Sequence, residues 1–193
     1  NDKQLSCLAR LGSGSAARSI YSGFVIWHCG TKADGSDSYA EKIQTVWPEF
    51  RIGLLINSTA KKAISSTHAM QQTTTTSDLF AQYSEYSEQN ELPAMLDAIN
   101  KKDFTKLGSI AENNAIKMHA TMHSASPSIN FDNASTQKHK LMVIDARAAG
   151  IEVYFTQDAG PNLKLLFLEK STQQIKQLFP ECDIIRPYNN APS

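Results

Sequence analysis

Gly12-Ser13-Gly14-Ser15 stands near the start of the chain, and Arg18 follows one helical turn later. Those residue types at that spacing can hold an anion. Glycine lets the backbone take positive φ and come close to a ligand. N–H groups at the start of a helix favour negative charge, and the planar fork of arginine suits a phosphate or a carboxylate. The bland alternative is a flexible Gly/Ser turn, and the four residues alone leave the two readings level. Arg18 and the apolar run behind it shift the balance towards an anion site. The pattern lacks the Gly-Lys-Ser/Thr of a P-loop, and it lacks the preceding strand and later acid of a dinucleotide fingerprint.

Asp158 is the second candidate. In Thr156-Gln157-Asp158-Ala159-Gly160-Pro161-Asn162-Leu163 an apolar strand ends and a carboxylate stands just before a tight turn. A carboxylate fixed there can act as a base or orient a hydroxyl. An aspartate that only hydrogen-bonds its own turn explains the motif more simply. Ser65, Ser66 and Thr67 offer three adjacent hydroxyls, which polar loops often contain. His119 and His123 have a zinc-compatible i, i+4 spacing, but Ala-Thr-Met between them supplies no glutamate base, so packing is the better account of His119. Asn113-Asn114 interrupts a helical stretch with poor helix formers, which suggests a polar contact to a ligand.

These residues need elements to place them. Residues 15–24 are helix-compatible, Phe24 to Trp27 is β-prone, Lys32 to Ile43 reads as a polar loop, and Phe50 to Asn57 reads as a buried strand. Ser58 to Phe80 is rich in serine and threonine, so the domain boundary is expected near Ser58, dividing residues 1–57 from residues 58–193. Beyond it a helix covers Leu92 to Asn100, with Pro93 in its first turn. Asp103 caps a helix over Phe104 to Ala125, whose stripe is Leu107, Ala111, Ala115, Met118 and Met122. Thr136 to Gly150 is a helix closed by glycine. A hairpin, a helix capped by Ser171 and a last strand over Cys182 to Pro187 complete an α+β layer.

Composition narrows the partners. Lysine plus arginine (19) equals aspartate plus glutamate (19), so nothing draws the chain as a whole to nucleic acid or to an anionic membrane. No apolar run approaches the roughly 20 residues of a membrane span. Three widely spaced cysteines, Cys7, Cys29 and Cys182, fit neither a disulfide framework nor a zinc site and suggest a reducing cytoplasm. The chain opens on Asn1 without a signal-peptide pattern, so a longer parent protein is expected.

Four segments in order carry a resemblance. Ala9 to Trp27, "ARLGSGSAARSIYSGFVIW", resembles the second phosphate-binding motif of the diphosphomevalonate decarboxylases, a branch of the GHMP kinase superfamily. "AISSTHAM" (63–70), "AENNAIKMHATM" (111–122) and "YFTQDAGPNL" (154–163) resemble that family's Ser-Ser-Thr segment, Asn-rich helix and aspartate motif. The resemblance covers nearly the whole chain. It implies a GHMP-kinase-like two-lobed fold, present as the C-terminal portion with part of the N-terminal lobe. It implies ATP-dependent decarboxylation of mevalonate 5-diphosphate to isopentenyl diphosphate, with ATP and Mg2+ as cofactors. Asp158 would approach the tertiary hydroxyl, and Arg18 would hold the substrate carboxylate. Ser13, Gly14, Ser15, Ala16 and Ala17 would line the substrate, and Ser66 and Thr67 would contact the diphosphate. The resemblance also allows a homodimer. Ala17 stands where many members have cysteine, a small change.

The family's lysine-bearing first segment has no match here, so the chain alone is expected to lack part of the cleft and to leave "GFVIW" and "GLLI" seeking cover. The rival readings are a sister mevalonate 3-kinase, a decarboxylase of a differently phosphorylated mevalonate, and a non-catalytic anion-binding fragment.

Overall fold

The structure is a computed structural model, and it describes residues 1–59 and 64–188. By its own contacts the chain forms two units, residues 1–48 with the segment from Pro187, and residues 49–186.

The smaller unit holds α1 (Asp2–Ala9), α2 (Gly14–Arg18) and a hairpin of β1 (Val25–His28) with β2 (Tyr39–Lys42). Asn1 and Gln4 close a capping box at the start of α1. Part of the expected polar loop is therefore strand β2, paired from Val25–Lys42 to His28–Tyr39. Its centre is pinned by Ser6, a buried serine whose Oγ accepts from the Ala40 N–H at 2.7 Å and donates to the Ala17 carbonyl at 3.0 Å. One hydroxyl thus joins α1, α2 and β2 and satisfies two buried backbone groups.

The larger unit is built on a sheet of order β4-β5-β3-β6, antiparallel throughout. It begins with β3 (Phe50–Leu55), grouped by sequence with residues 1–57. Gly53 and Leu55 are buried because β3 lies between two partner strands, whereas Ile56 of "GLLI" is 46% exposed and Trp27 of "GFVIW" 39%. Next come α3 (Ser66–Thr76), α4 (Phe80–Tyr86), a π turn (Ser87–Glu91), α5 (Leu92–Lys101), α6 (Phe104–Ser124) and α7 (Ala134–Ala148). The hairpin of β4 (Val153–Gln157) and β5 (Leu163–Leu168) follows, then a 3-10 turn (Glu169–Ser171), α8 (Thr172–Leu178) and β6 (Asp183–Ile185). Among the described residues no helix is long and apolar enough to cross a membrane.

The serine- and threonine-rich stretch holds a helix, and its hydroxyls find partners inside it. Ser65 caps α3 by accepting from the His68 N–H at 3.1 Å. Thr73 and Thr76 donate back to the Ala69 and Gln72 carbonyls, each at 2.8 Å. The expected helix with Pro93 in its first turn is α5, and the π turn joins it to α4 in one helical run over residues 80–101. Proline has no N–H to give and crowds the carbonyl four residues back, and the wider π turn ahead of it relieves both problems. Asp103 caps α6 as expected, accepting from the Lys106 N–H at 3.0 Å. Ser171 does not cap α8 with its side chain, because the 3-10 turn leads straight into the helix.

One core cluster lies on one face of the sheet. Val153, Phe155, Leu163, Leu165 and Phe167 meet Val143 and Ala146 of α7 and Ile175 of α8. Tyr154 points the other way, into Phe104 of α6, with ring centroids 5.8 Å apart. A Cβ at Gly108 would run into that tyrosine ring, so the glycine lets α6 settle on β4. Gly108→Ala should lower stability by about 1–3 kcal/mol through overpacking, although alanine is the better helix former. Urea unfolding checks this, and an unchanged or raised midpoint would contradict it.

Candidate functional site

In the smaller unit the Gly-Ser loop is the N-terminus of α2. Ser13 is extended (φ −172°) and its Oγ accepts from the Ala16 N–H at 3.1 Å. Ser15 Oγ lies 3.0 Å from Ser13 Oγ, so two hydroxyls stand together on an exposed helix end. The glycines do not supply the positive φ expected of them, since neither Gly12 nor Gly14 adopts it. Gly14 serves close approach instead, because a Cβ there would sit 2.9 Å from the Trp27 ring of β1. Ala16 is half-buried, and Ala17 is fully buried. Ala17 supports the loop from beneath rather than lining its surface. Arg18 is exposed, and its Nη1 donates to the Gly14 carbonyl at 3.4 Å, a weak tether that leaves the fork available. Hydroxyls, backbone N–H groups and a guanidinium form a donor-rich set, which fits a carboxylate or a phosphate.

In the larger unit Asp158 follows the last residue of β4, and its side chain is 84% exposed, open to a ligand from solvent. It is not bound to its own turn. It forms an ion pair with Lys164 of β5. Other side chains hold the turn. Asn162 Oδ1 accepts from the N–H groups of Asn57 and Ser58 at 2.9 and 3.1 Å. The Pro161 carbonyl accepts from Asn57 Nδ2 at 2.9 Å and from Thr136 Oγ1 at 2.8 Å. Ser66 Oγ donates to the Ala159 carbonyl at 3.3 Å, so the Ser-Ser-Thr segment and the aspartate turn meet. Thr67 is exposed next to Ser66. Ala63, the first residue of that segment's motif, lies outside the described residues.

Sequence reasoning missed Asn57, Gln157, Asp132 and Lys164. Gln157 carried a signal, a polar residue in register with the inward Val153 and Phe155. Asn114 is not free for a ligand, because it donates to Glu91 Oε2 at 2.6 Å and to Ser87 Oγ at 3.0 Å. Burial raises the pKa of Glu91, but the bonds from Lys117, Asn114 and Ser87 outweigh it and hold the group below its ordinary range. His119 is buried edge-on to Phe131, whereas His123 faces Asn130. Among the described residues no three His, Cys, Asp or Glu side chains gather as metal ligands.

Residues 52–189 match the mevalonate 5-diphosphate decarboxylase C-terminal domain, and residues 1–40 match the diphosphomevalonate decarboxylase-like N-terminal domain. The chain belongs to the mevalonate 5-diphosphate decarboxylase family. It is 39% identical over 176 residues to diphosphomevalonate decarboxylase mvd1 of Aspergillus fumigatus, covering 89% of this chain and 44% of that protein. With the human diphosphomevalonate decarboxylase it shares 33% identity over 177 residues, which is 90% of this chain and 44% of the human one. The mevalonate diphosphate decarboxylase structure from Staphylococcus aureus matches with a TM-score of 0.88 at 33% identity, covering 96% of this chain and 58% of that one. A structure described as "MDDEF in complex with MVAPP, AMPPCP and Magnesium" matches with a TM-score of 0.90 at 35% identity, covering 95% and 58%. The chain spans about half the length of the curated relatives it matches.

Proposed function

We propose that the full-length protein carries out ATP-dependent decarboxylation of mevalonate 5-diphosphate, giving isopentenyl diphosphate. The observation that supports this most is the Asp158 carboxylate, exposed on a turn that buried neighbours pin, within a chain of this family. Asp158 takes up, or orients, the proton of the substrate's tertiary hydroxyl as that oxygen attacks the terminal phosphorus of ATP. Arg18 grips the substrate carboxylate with two parallel N–H bonds and fixes it for the next step. In that step phosphate leaves with the C–O electron pair, the bond to the carboxylate breaks to supply the new double bond, and carbon dioxide departs. Ser13 and Ser15 donate hydroxyls to the substrate, Ser15 reaching towards the transferred phosphate, while Ser66 and Thr67 serve the diphosphate tail. Magnesium, which accompanies an ATP analogue in the similar structure, supplies charge neutralisation between the nucleotide phosphates.

The ligands are small phosphorylated molecules rather than a nucleic acid or a membrane, in keeping with a formal net charge of zero. Three unpaired cysteines suit a reducing, cytoplasmic setting. A scaffold that also carries GHMP kinases invites a second reading, a kinase that stops after phosphorylating the tertiary hydroxyl. Asp158 and Arg18 together favour decarboxylation, since a clamp on the carboxylate also places it for elimination.

The test is turnover by the full-length protein with ATP and each mevalonate ester. Mevalonate 5-diphosphate should give the highest kcat/KM, and preference for another ester would move the substrate assignment. Arg18→Lys keeps the charge and loses the fork. It should raise KM for the mevalonate ester by about tenfold and slow turnover, with ATP affinity changed less than about twofold. Calorimetry that found ATP binding lost and ester binding intact would place Arg18 on the nucleotide side.

A further inference from the structure

Gln157 and Asp158 are neighbours that face opposite ways, as successive residues of a strand do. Asp158 is out in solvent. Gln157 is 2% exposed, and its Nε2 donates to the Gly160 carbonyl at 2.8 Å and to Asp132 Oδ1 at 2.9 Å. The first bond closes the turn on itself, and the second ties it to the loop before α7. Asp132 is held from the other side by Lys140 of α7, whose Nζ lies 2.7 Å from Oδ2. Burial raises the pKa of Asp132, but the bonds from Lys140 and Gln157 outweigh it and keep the group below the usual carboxylate range. Asp132 is therefore an ionised, partly buried acceptor, which makes strong hydrogen bonds.

His119 of α6 packs into the same region and is 6% exposed. Burial, and then the Lys140 charge, push its pKa down, while the Asp132 carboxylate and the backbone of Asp158 act the other way. The ring is neutral at pH 7 and adds no competing charge beside Asp132. Against this, the ion pair that Asp158 makes with Lys164 lies at the surface, where such pairs hold little. The buried side chains, not that surface pair, have the strength to fix the turn.

We infer that Gln157, held by Asp132 and Lys140, is the positioning residue that sets the Asp158 carboxylate against its substrate. This rests on the reading of Asp158 as the group that deals with the hydroxyl proton. A base displaced by about 1 Å loses on the order of a hundredfold in rate without losing substrate affinity.

In the full-length protein, Gln157→Leu removes both N–H donors at similar volume. It should lower kcat by about thirtyfold or more, with both KM values within about twofold of the parent. In an Asp158→Asn background the same change should add less than about twofold, because a group that acts only through Asp158 has nothing left to position. Lys140→Met should lower kcat by about tenfold and Lys140→Arg should restore most of it, which keeps the test open if the Gln157 variant folds poorly. Hydrogen exchange at residues 158–162 needs no turnover. The amides of Asp158, Ala159, Gly160 and Asn162 should exchange about tenfold faster in Gln157→Leu while α6 and β5 stay unchanged. Unchanged exchange, or a Gln157→Leu loss that adds in full to that of Asp158→Asn, would overturn the inference. Absence of turnover in the parent protein would overturn the role of Asp158 instead, and the exchange result would still decide whether Gln157 fixes the turn.

Discussion

Asp158→Asn in the full-length protein is expected to lower kcat by at least about a hundredfold, the scale of a lost general base, while KM for both substrates moves by less than about threefold. The split follows from where the residue sits. Its side chain is 84% exposed and does not carry the turn, which Gln157, Asn57, Thr136 and Ser66 hold. The substitution therefore removes a charge without removing a support, and the melting temperature should stay within about 2 °C, as for an exposed position outside any buried network. Steady-state kinetics with a thermal melt tests both halves. Near-normal turnover would sink the assignment, and a melting temperature far below the parent's would mean that the loss was structural.

The second large effect belongs to Glu112. It is 8% exposed, and its carboxylate takes two bonds from Arg147, at 2.7 and 3.0 Å, and one from the Phe155 N–H at 3.0 Å. Arg147 also donates to the Val153 carbonyl at 2.9 Å. One carboxylate thus joins α6, α7 and the edge strand β4 that leads to Asp158. Glu112→Ala strands a half-buried guanidinium and a buried N–H and should cost about 3–5 kcal/mol. At roughly 2–4 °C per kcal/mol for a protein of this size class, the melting temperature should fall by about 10 °C. Glu112→Gln keeps one acceptor and should lose much less. Equal melting temperatures for Glu112→Ala and the parent would show that the clamp carries no weight.

Features governed by local rules were legible in the sequence. The Asp103 cap, the β4–β5 hairpin and the Gly150 stop all appear where short-range patterns put them, with Gly150 at φ +88°. The stripe on α6 is right in direction, with Leu107, Ala115 and Met122 buried. What was not legible depends on partners far along the chain. Nothing local says that a side chain at Gly14 would meet the ring of Trp27. The two-unit division between Pro48 and Glu49 rather than near Ser58 follows from β3 pairing with β5 and β6, more than a hundred residues on.

The same holds for the candidate site. Asp158, Arg18 and the serines could be named because their types suit the chemistry and their motifs resemble a family's. The groups that hold the Asp158 turn could not, since Asn57, Asp132 and Gln157 matter through contacts that only the fold creates. Ser66 shows both sides. It was singled out for a ligand, and in the structure its hydroxyl also braces the Asp158 turn through the Ala159 carbonyl.

Decarboxylation is decided by counting carbon dioxide released against ADP formed, using mevalonate 5-diphosphate labelled at its carboxyl carbon, ATP, magnesium and the full-length protein. One carbon dioxide is expected for each ADP, with both lost together in Asp158→Asn. ADP formed without carbon dioxide would mean a kinase that stops at the phosphorylated hydroxyl, and it would contradict the role given to Arg18.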